Sequence, residues 1–111
     1  MDGEDLDIAD NSYDVALCSL GLLYYPDPLQ GLTEMYRVLK TTGRAVAAVW
    51  GKRKNCGWGS IFPIIESRIK SDVCPLFFQL GTGNLLEHSF VQAGFKDIKC
   101  ERISTHLHFD S

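Results

Sequence analysis

The 111 residues are 45% hydrophobic and 23% charged, the composition of one globular domain and not of a disordered chain. A net charge of −3 argues against a nucleic-acid footprint, which needs a net basic face. No apolar run approaches the ~18–20 residues of a membrane span and no charged-then-apolar leader is visible, so a cytoplasmic protein is expected.

Tyr13 to Ser19, with Val15 to Cys18 continuously apolar, and Arg44 to Trp50 are short apolar runs without alternation. Such runs predict strands of a parallel sheet, covered on both faces. Between them the spacing predicts an amphipathic helix. Asp27 caps it, Pro28 takes its first position, and Gln30 stands at the third, capping-box position. Leu29, Leu32, Met35, Tyr36 and Leu39 share one face, while Gln30, Glu34, Arg37 and Lys40 lie largely elsewhere. Arg37 and Lys40 suit the carboxyl end of the helix dipole, and Gly43 ends the helical region. Strand, helix and strand form a βαβ unit with an expected right-handed crossover.

Downstream, Ile61, Phe62, Ile65 and Ile69 recur at helical spacing within Ser60–Ser71, where Pro63 is tolerable only in the first turn. Pro75 to Leu80 is apolar without a clear period. Asn84 and Glu87 have capping-box spacing and Gly94 is a stop, so Leu85 to Ala93 is predicted helical. Ile98 to Phe109 reads as extended, with a bulge near Arg102 where the apolar parity changes. Cys18, Cys56, Cys74 and Cys100 stand singly, which predicts reduced, unpaired thiols and no zinc or iron–sulfur site.

Ligands of an open parallel sheet gather beyond the carboxyl ends of its strands. Those ends are Ser19-Leu20-Gly21 and Trp50-Gly51. The acidic stretch Asp2-Gly3-Glu4-Asp5-Leu6-Asp7 is either a solvated loop or a source of carboxylates for an amine or hydroxyl. Lys52-Arg53-Lys54 is an exposed loop or an attractor of an anionic substrate. Trp58, Phe62, Phe77 and Phe78 line a pocket or, more commonly for such residues, pack a core. His106 and His108 share a face but lack a third metal ligand nearby. Hydrolase and phosphate-loop signatures do not occur.

Four ordered stretches point further: Asp2-Gly3-Glu4-Asp5-Leu6, Asp10-Asn11-Ser12-Tyr13-Asp14-Val15, Pro26-Asp27-Pro28 and Glu34-Met35-Tyr36-Arg37-Val38-Leu39-Lys40-Thr41-Thr42-Gly43. Together they resemble the class I S-adenosylmethionine-dependent methyltransferases, most nearly the ubiquinone/menaquinone-biosynthesis type. The resemblance covers residues 2 to about 51, with a looser echo at Ala93-Gly94-Phe95. Thr41-Thr42-Gly43 stands where that family usually has Pro-Gly-Gly. A dehydrogenase fragment would share the sheet but would not account for these stretches.

The resemblance implies an α/β, partial Rossmann-like fold with a parallel βαβ core, helices and a carboxy-terminal extended strand. The first strands, with the glycine-rich turn and ribose-binding acid, are expected to be missing. It divides 1–111 into a motif-bearing βαβ unit (2–51), a lid-like or substrate region (52–83) and a helix plus strand (84–111). It implies S-adenosylmethionine as cofactor: Asp2 toward the adenine amine, Gly3 and Glu4 as the adjoining backbone, and Ser19, Leu20 and Gly21 beside the methionine and sulfonium. No catalytic residue is implied. The acceptor would be a small molecule, with Trp50 to Leu80 shaping its pocket. Three absent cofactor hydrogen bonds at about 1.5 kcal/mol each would weaken binding by roughly three decades, so the chain alone is expected to be inactive. The alternative is a non-catalytic interaction or regulatory module of the same descent. A bare apolar edge at Tyr13–Ser19 predicts self-association.

Overall fold

The computed structural model describes residues 1–68 and 78–106. Two strands lie parallel, β1 (Tyr13–Ser19) beside β2 (Leu39–Ala48), with α1 (Pro28–Val38) between them in the chain. After β2 come α2 (Ile61–Glu66) and α3 (Leu85–Ala93). Leu22, Leu32, Met35, Leu80, Phe90 and Ala93 form the core, against which Ala16, Cys18, Ala45 and Ala47 of the sheet pack. Small residues on this sheet face let α1 and the Leu22–Tyr24 turn approach the strands closely. Tyr36 meets Phe95 edge-on at 5.2 Å, and Phe95 in turn meets Phe90 at 5.1 Å, which fastens the end of α3 under α1.

The start of α1 agrees with its sequence signals, with one change of partner. Asp27 Oδ1 accepts from the Gln30 N–H at 3.2 Å, and Pro28 opens the helix. The reciprocal arm of the cap comes from Glu4, not Gln30: Glu4 Oε1 accepts from the Asp27 N–H at 2.6 Å. Gln30 Nε2 instead donates to the Glu4 carbonyl at 3.1 Å.

The far end of α1 differs from expectation. The helix stops at Val38, and Leu39 to Gly43 are already strand. The Asn11 and Ser12 N–H groups take the Arg37 and Val38 carbonyls at 3.0 and 2.8 Å, so those helix-end acceptors are satisfied from outside. Leu39 then pairs with Tyr13, and the register jumps to Val15 opposite Arg44, leaving Lys40–Gly43 as a bulge in β2. Thr41 and Thr42 favour extended backbone there. Gly43 is needed for space, because a Cβ would lie 2.9 Å from the Lys40 carbonyl oxygen and 3.1 Å from that of Asp14.

Three more expectations change. The strands are covered on one face only among the described residues: Val15, Leu17 and Val46 are 61%, 72% and 54% exposed. Their burial alternates because only Ala16, Cys18, Ala45 and Ala47 face the core. Residues 98–106 form no strand. Arg102 donates to the Gly81 and Gly83 carbonyls at 3.0 and 2.6 Å, so its side chain ties this segment to the loop before α3, and among the described residues the segment pairs with no strand. Asn84 precedes α3 but its side chain makes no capping hydrogen bond, whereas Gly94 closes the helix at φ +108° as anticipated. Cys18, Cys56 and Cys100 are free thiols. Ser71, Cys74, Phe77 and the end of the predicted extended segment, 107–109, lie outside the described residues, as does Ile69.

Leu32 has no exposed surface and touches both the sheet and α3 through the core. Leu32→Ala is expected to cost about 2–5 kcal/mol, read by chemical denaturation. Val91→Ala on the open side of α3, where Val91 is 56% exposed, should change stability by less than about 0.5 kcal/mol.

Candidate functional site

The segment ahead of β1 has no regular structure of its own, yet it is held in place from α1. Arg37 is the fastener. Its Nε and one terminal nitrogen bind both oxygens of Glu34, at 2.9 and 2.8 Å, in a two-pronged contact within one helical turn. The same guanidinium donates to the Leu6 carbonyl at 2.9 Å, the Ile8 carbonyl at 2.7 Å and Asp10 Oδ1 at 2.6 Å. Glu34 completes the clamp by accepting from the Leu6 N–H at 2.8 Å. Glu34 is therefore buried at 7% exposure, although helical spacing alone places it on the polar side. The Arg37 hydrogen bonds, then the Leu6 N–H, pull its carboxyl from the ordinary 4.5 down to about 2 against the opposing effect of burial. Glu34 and Asp10 in turn hold Arg37 above its ordinary value.

Beyond the clamp, Asp2 to Glu4 folds into a tight turn. Asp2 Oδ1 accepts from the Glu4 N–H at 2.9 Å, and the Asp2 carbonyl accepts from the Asp5 N–H at 3.1 Å. Glu4 is tied to the start of α1 through Asp27 and Gln30. Asp2 keeps an exposed carboxylate at the tip. Gly3 faces the Tyr25 phenol so closely that any Cβ there would overlap it. Gly31, buried inside α1, meets the other part of the same ring in the same way. Glycine at a helix interior costs about 1 kcal/mol relative to alanine, and the space taken by Tyr25 is the reason it is there.

Tyr25 also joins this turn to the end of β1. Burial first, and the Cys18 thiol beside it second, raise the Tyr25 hydroxyl above its usual pKa, with Asp2 and Glu4 adding to the effect. Cys18 closes against Gly21, where a Cβ would sit 2.8 Å from its sulfur. Leu20 adopts φ +58°, a left-handed conformation uncommon for leucine, and its N–H is held by the Ala48 carbonyl at 2.8 Å. The two trios named from sequence, Asp2-Gly3-Glu4 and Ser19-Leu20-Gly21, are thus linked through one tyrosine. Tyr25, Glu34 and Arg37 were not among the predicted site residues. The unexplained Gly31 within α1 was the one local sign that a ring lies against that helix.

The other candidates fall elsewhere. Trp58 packs on Trp50, Phe62 and Phe78 at ring distances of 5.4, 5.7 and 5.3 Å, a ring cluster beside α2 in which Phe78 is buried and Trp58 is part exposed. Arg53 binds Glu66 at 3.2 Å and covers the Phe62 ring, while Lys52 and Lys54 are exposed. A Cβ at Gly51 would meet the Arg102 guanidinium at 3.8 Å. His106 is exposed and His108 lies outside the described residues. Among the described residues no group of three potential ligands could hold a metal.

The exposed Asp2 carboxylate, on a turn fastened to α1 through Glu4, can accept a hydrogen bond from an amine or hydroxyl, with the rim of β1 across Tyr25. The Tyr25 ring stands between the two trios and bounds the space open to such a group.

Residues 1–47 match the family described as "Methyltransferase domain". The chain is similar to 2-methyl-6-phytyl-1,4-hydroquinone methyltransferase of Arabidopsis thaliana, at 34% identity over 92% of this chain and 27% of that protein. It is also similar to demethylmenaquinone methyltransferase of Listeria welshimeri, at 30% identity over 84% of this chain and 38% of the relative. The chain thus spans about a quarter to two-fifths of the length of these curated relatives. Among solved structures, a S-adenosylmethionine-dependent methyltransferase from Thermotoga maritima aligns with a TM-score of 0.61 and 23% identity, over 86% of this chain and 44% of its own. That likeness shows a shared Rossmann-like α/β fold.

The clamp has an acid-dependent signature. The folded Glu34 carboxyl ionises near 2 and the unfolded one near 4.5, so its contribution is complete above about 4.5 and is lost as pH falls toward 2. Glu34→Gln is expected to lower the thermal midpoint at pH 7 and to flatten the decline between pH 4.5 and 2. Melting curves across that range check it; an unchanged acid limb would show that Glu34 is not clamped.

Proposed function

We propose that this chain, whose residues 1–47 match the family described as "Methyltransferase domain", forms the adenine wall of a S-adenosylmethionine site in an enzyme methylating a small molecule. The observation that supports this reading best is the Arg37–Glu34 clamp, which holds the Asp2–Glu4 turn against α1. In this reading the Asp2 carboxylate accepts a hydrogen bond from the adenine amine. Gly3 and Glu4 present the backbone beside it, and Ser19, Leu20 and Gly21 border the methionine and sulfonium.

The cofactor, when bound, supplies an electrophilic methyl group. The chain's own residues orient its nucleoside end, and no side chain is assigned as a base. Orientation of two reacting groups by itself lowers barriers substantially. The names of the relatives support a quinol ring bearing an isoprenoid tail as the acceptor class. Residues 2–51 would serve the cofactor, 52–83 the acceptor side, and 84–111 would buttress the core.

A second reading, a non-catalytic interaction or regulatory module, is favoured by Tyr25, which occupies space between the two trios. Either reading is compatible with association through β1, whose outer edge has no partner among the described residues and whose Val15 and Leu17 are exposed.

Titration of the 111-residue chain with S-adenosylhomocysteine is expected to shift the amide resonances of Asp2, Gly3, Glu4 and Tyr25, and Asp2→Ala should weaken the response about tenfold. Shifts confined to other residues would remove the adenine-wall reading. Calorimetry separates the two functions: affinity tighter than about 100 μM, near 5.5 kcal/mol, would sink the non-catalytic one. Light scattering is expected to show mass rising with concentration, and a stable monomer would count against pairing through β1.

A further inference from the structure

The region between β2 and residue 68 has a property that the methyl-transfer reading does not use. Ile61, Ile64 and Ile65 are 51%, 66% and 41% exposed on α2. Their spacing of three and four places them on one stripe of the helix. Trp58, just before α2, is 40% exposed. Single exposed apolar residues are ordinary, but a contiguous stripe marks a contact surface.

Charge identifies the partner. Residues 52–68 carry Lys52, Arg53, Lys54 and Arg68 against one carboxylate, Glu66, in a chain whose net charge is −3. The positive charge is therefore concentrated beside the apolar stripe of an otherwise acidic protein. The fold holds the two together. Arg53 binds Glu66 at 3.2 Å and lies over the Phe62 ring, which braces the 3-10 turn Arg53–Asn55 against α2. Trp58 packs on Phe62 and Phe78, which meet each other edge-on, so the ring cluster joins the tryptophan to α2. An open hollow of about 500 Å³ beside the basic run is lined in part by Arg53, Lys54, Ser60 and Pro63.

We propose that Lys52–Arg68 docks on an anionic lipid surface, with Ile61, Ile64 and Ile65 entering the headgroup–acyl boundary and Lys52 and Lys54 engaging phosphates. An interfacial tryptophan, an exposed apolar stripe and adjacent lysines are the parts that surface-lying helices use. No helix among the described residues is long and apolar enough to cross a membrane, so contact is from one side through these residues. The inference stands on exposure and charge and does not depend on cofactor binding. If the acceptor does carry an isoprenoid tail, such docking would bring the protein to where that tail is dissolved.

Co-sedimentation of the whole chain with vesicles tests the proposal. Phosphatidylcholine vesicles containing phosphatidylglycerol are expected to bind it, and pure phosphatidylcholine vesicles to bind it much less. Lys52→Glu and Lys54→Glu should each weaken binding about fivefold or more, and added salt should weaken it further. Ile64→Asp should weaken it at least about tenfold, with circular dichroism confirming that the exposed substitution leaves the fold intact. The proposal is overturned by absence of binding to the anionic vesicles, by equal binding to both lipid compositions, or by binding unaffected by Ile64→Asp. A dimer that Ile64→Asp dissociates, without vesicle binding, would assign the stripe to a second copy of the chain instead.

Discussion

The arrangement of the amino-terminal third depends on the guanidinium of Arg37. Residues 2–11 contain the Asp2–Glu4 turn and a bridge between Asp2 and Asp5 but no helix or named strand, so beyond that turn their path is fixed from outside. Arg37 binds two of their carbonyls and one carboxylate, and is itself oriented by both oxygens of Glu34. A planar fork of donors suits this task, since lysine could not satisfy several acceptors in fixed directions. Because Arg37 lies in the last turn of α1, the position of the acidic turn is set by the helix, and the helix is set by the core through Leu32 and Met35.

The cap at the other end of α1 repeats the same logic. Glu4 accepts the Asp27 N–H, so the acidic turn completes the helix that holds it. Tyr25 fills the gap between them because Gly3 and Gly31 make room on both sides. The Asp2–Glu4 turn is thus fastened at three places, by Glu4 at the head of α1, by Tyr25 against its middle, and by the Leu6–Asp10 stretch to Arg37. A ligand that reached this turn would meet preorganised groups, and little ordering of the loop would oppose its binding.

Much of this architecture was legible in the residues. The strand at Tyr13–Ser19, the Asp27-Pro28 start, the Gly94 stop and the parallel βαβ order follow from local patterns, and the structure has them. The errors share a cause: each concerned a group whose fate is decided by a distant partner. The helix end was misplaced because Asn11 and Ser12 claim its carbonyls. Glu34 was expected on the polar side because its partner Leu6 N–H is remote in sequence. The strand expected after Ile98 has no strand neighbour among the described residues, although its alternation is real, and Arg102 binds a loop. Of the site, the two trios were named from sequence, but the tyrosine linking them was not.

The amino-acid sequence by itself determined the strand–helix–strand unit, its parallel order, the helix ending at Gly94 and the family to which residues 1–47 are similar, since these rest on periodicity, caps and short motifs. Tertiary structure alone decided where α1 yields to β2, which carboxylate is buried, and which faces of the sheet and of α2 stay open. Local patterns specify what a segment can become. Only contacts between segments far apart in the chain specify which polar groups find partners and which apolar ones remain uncovered.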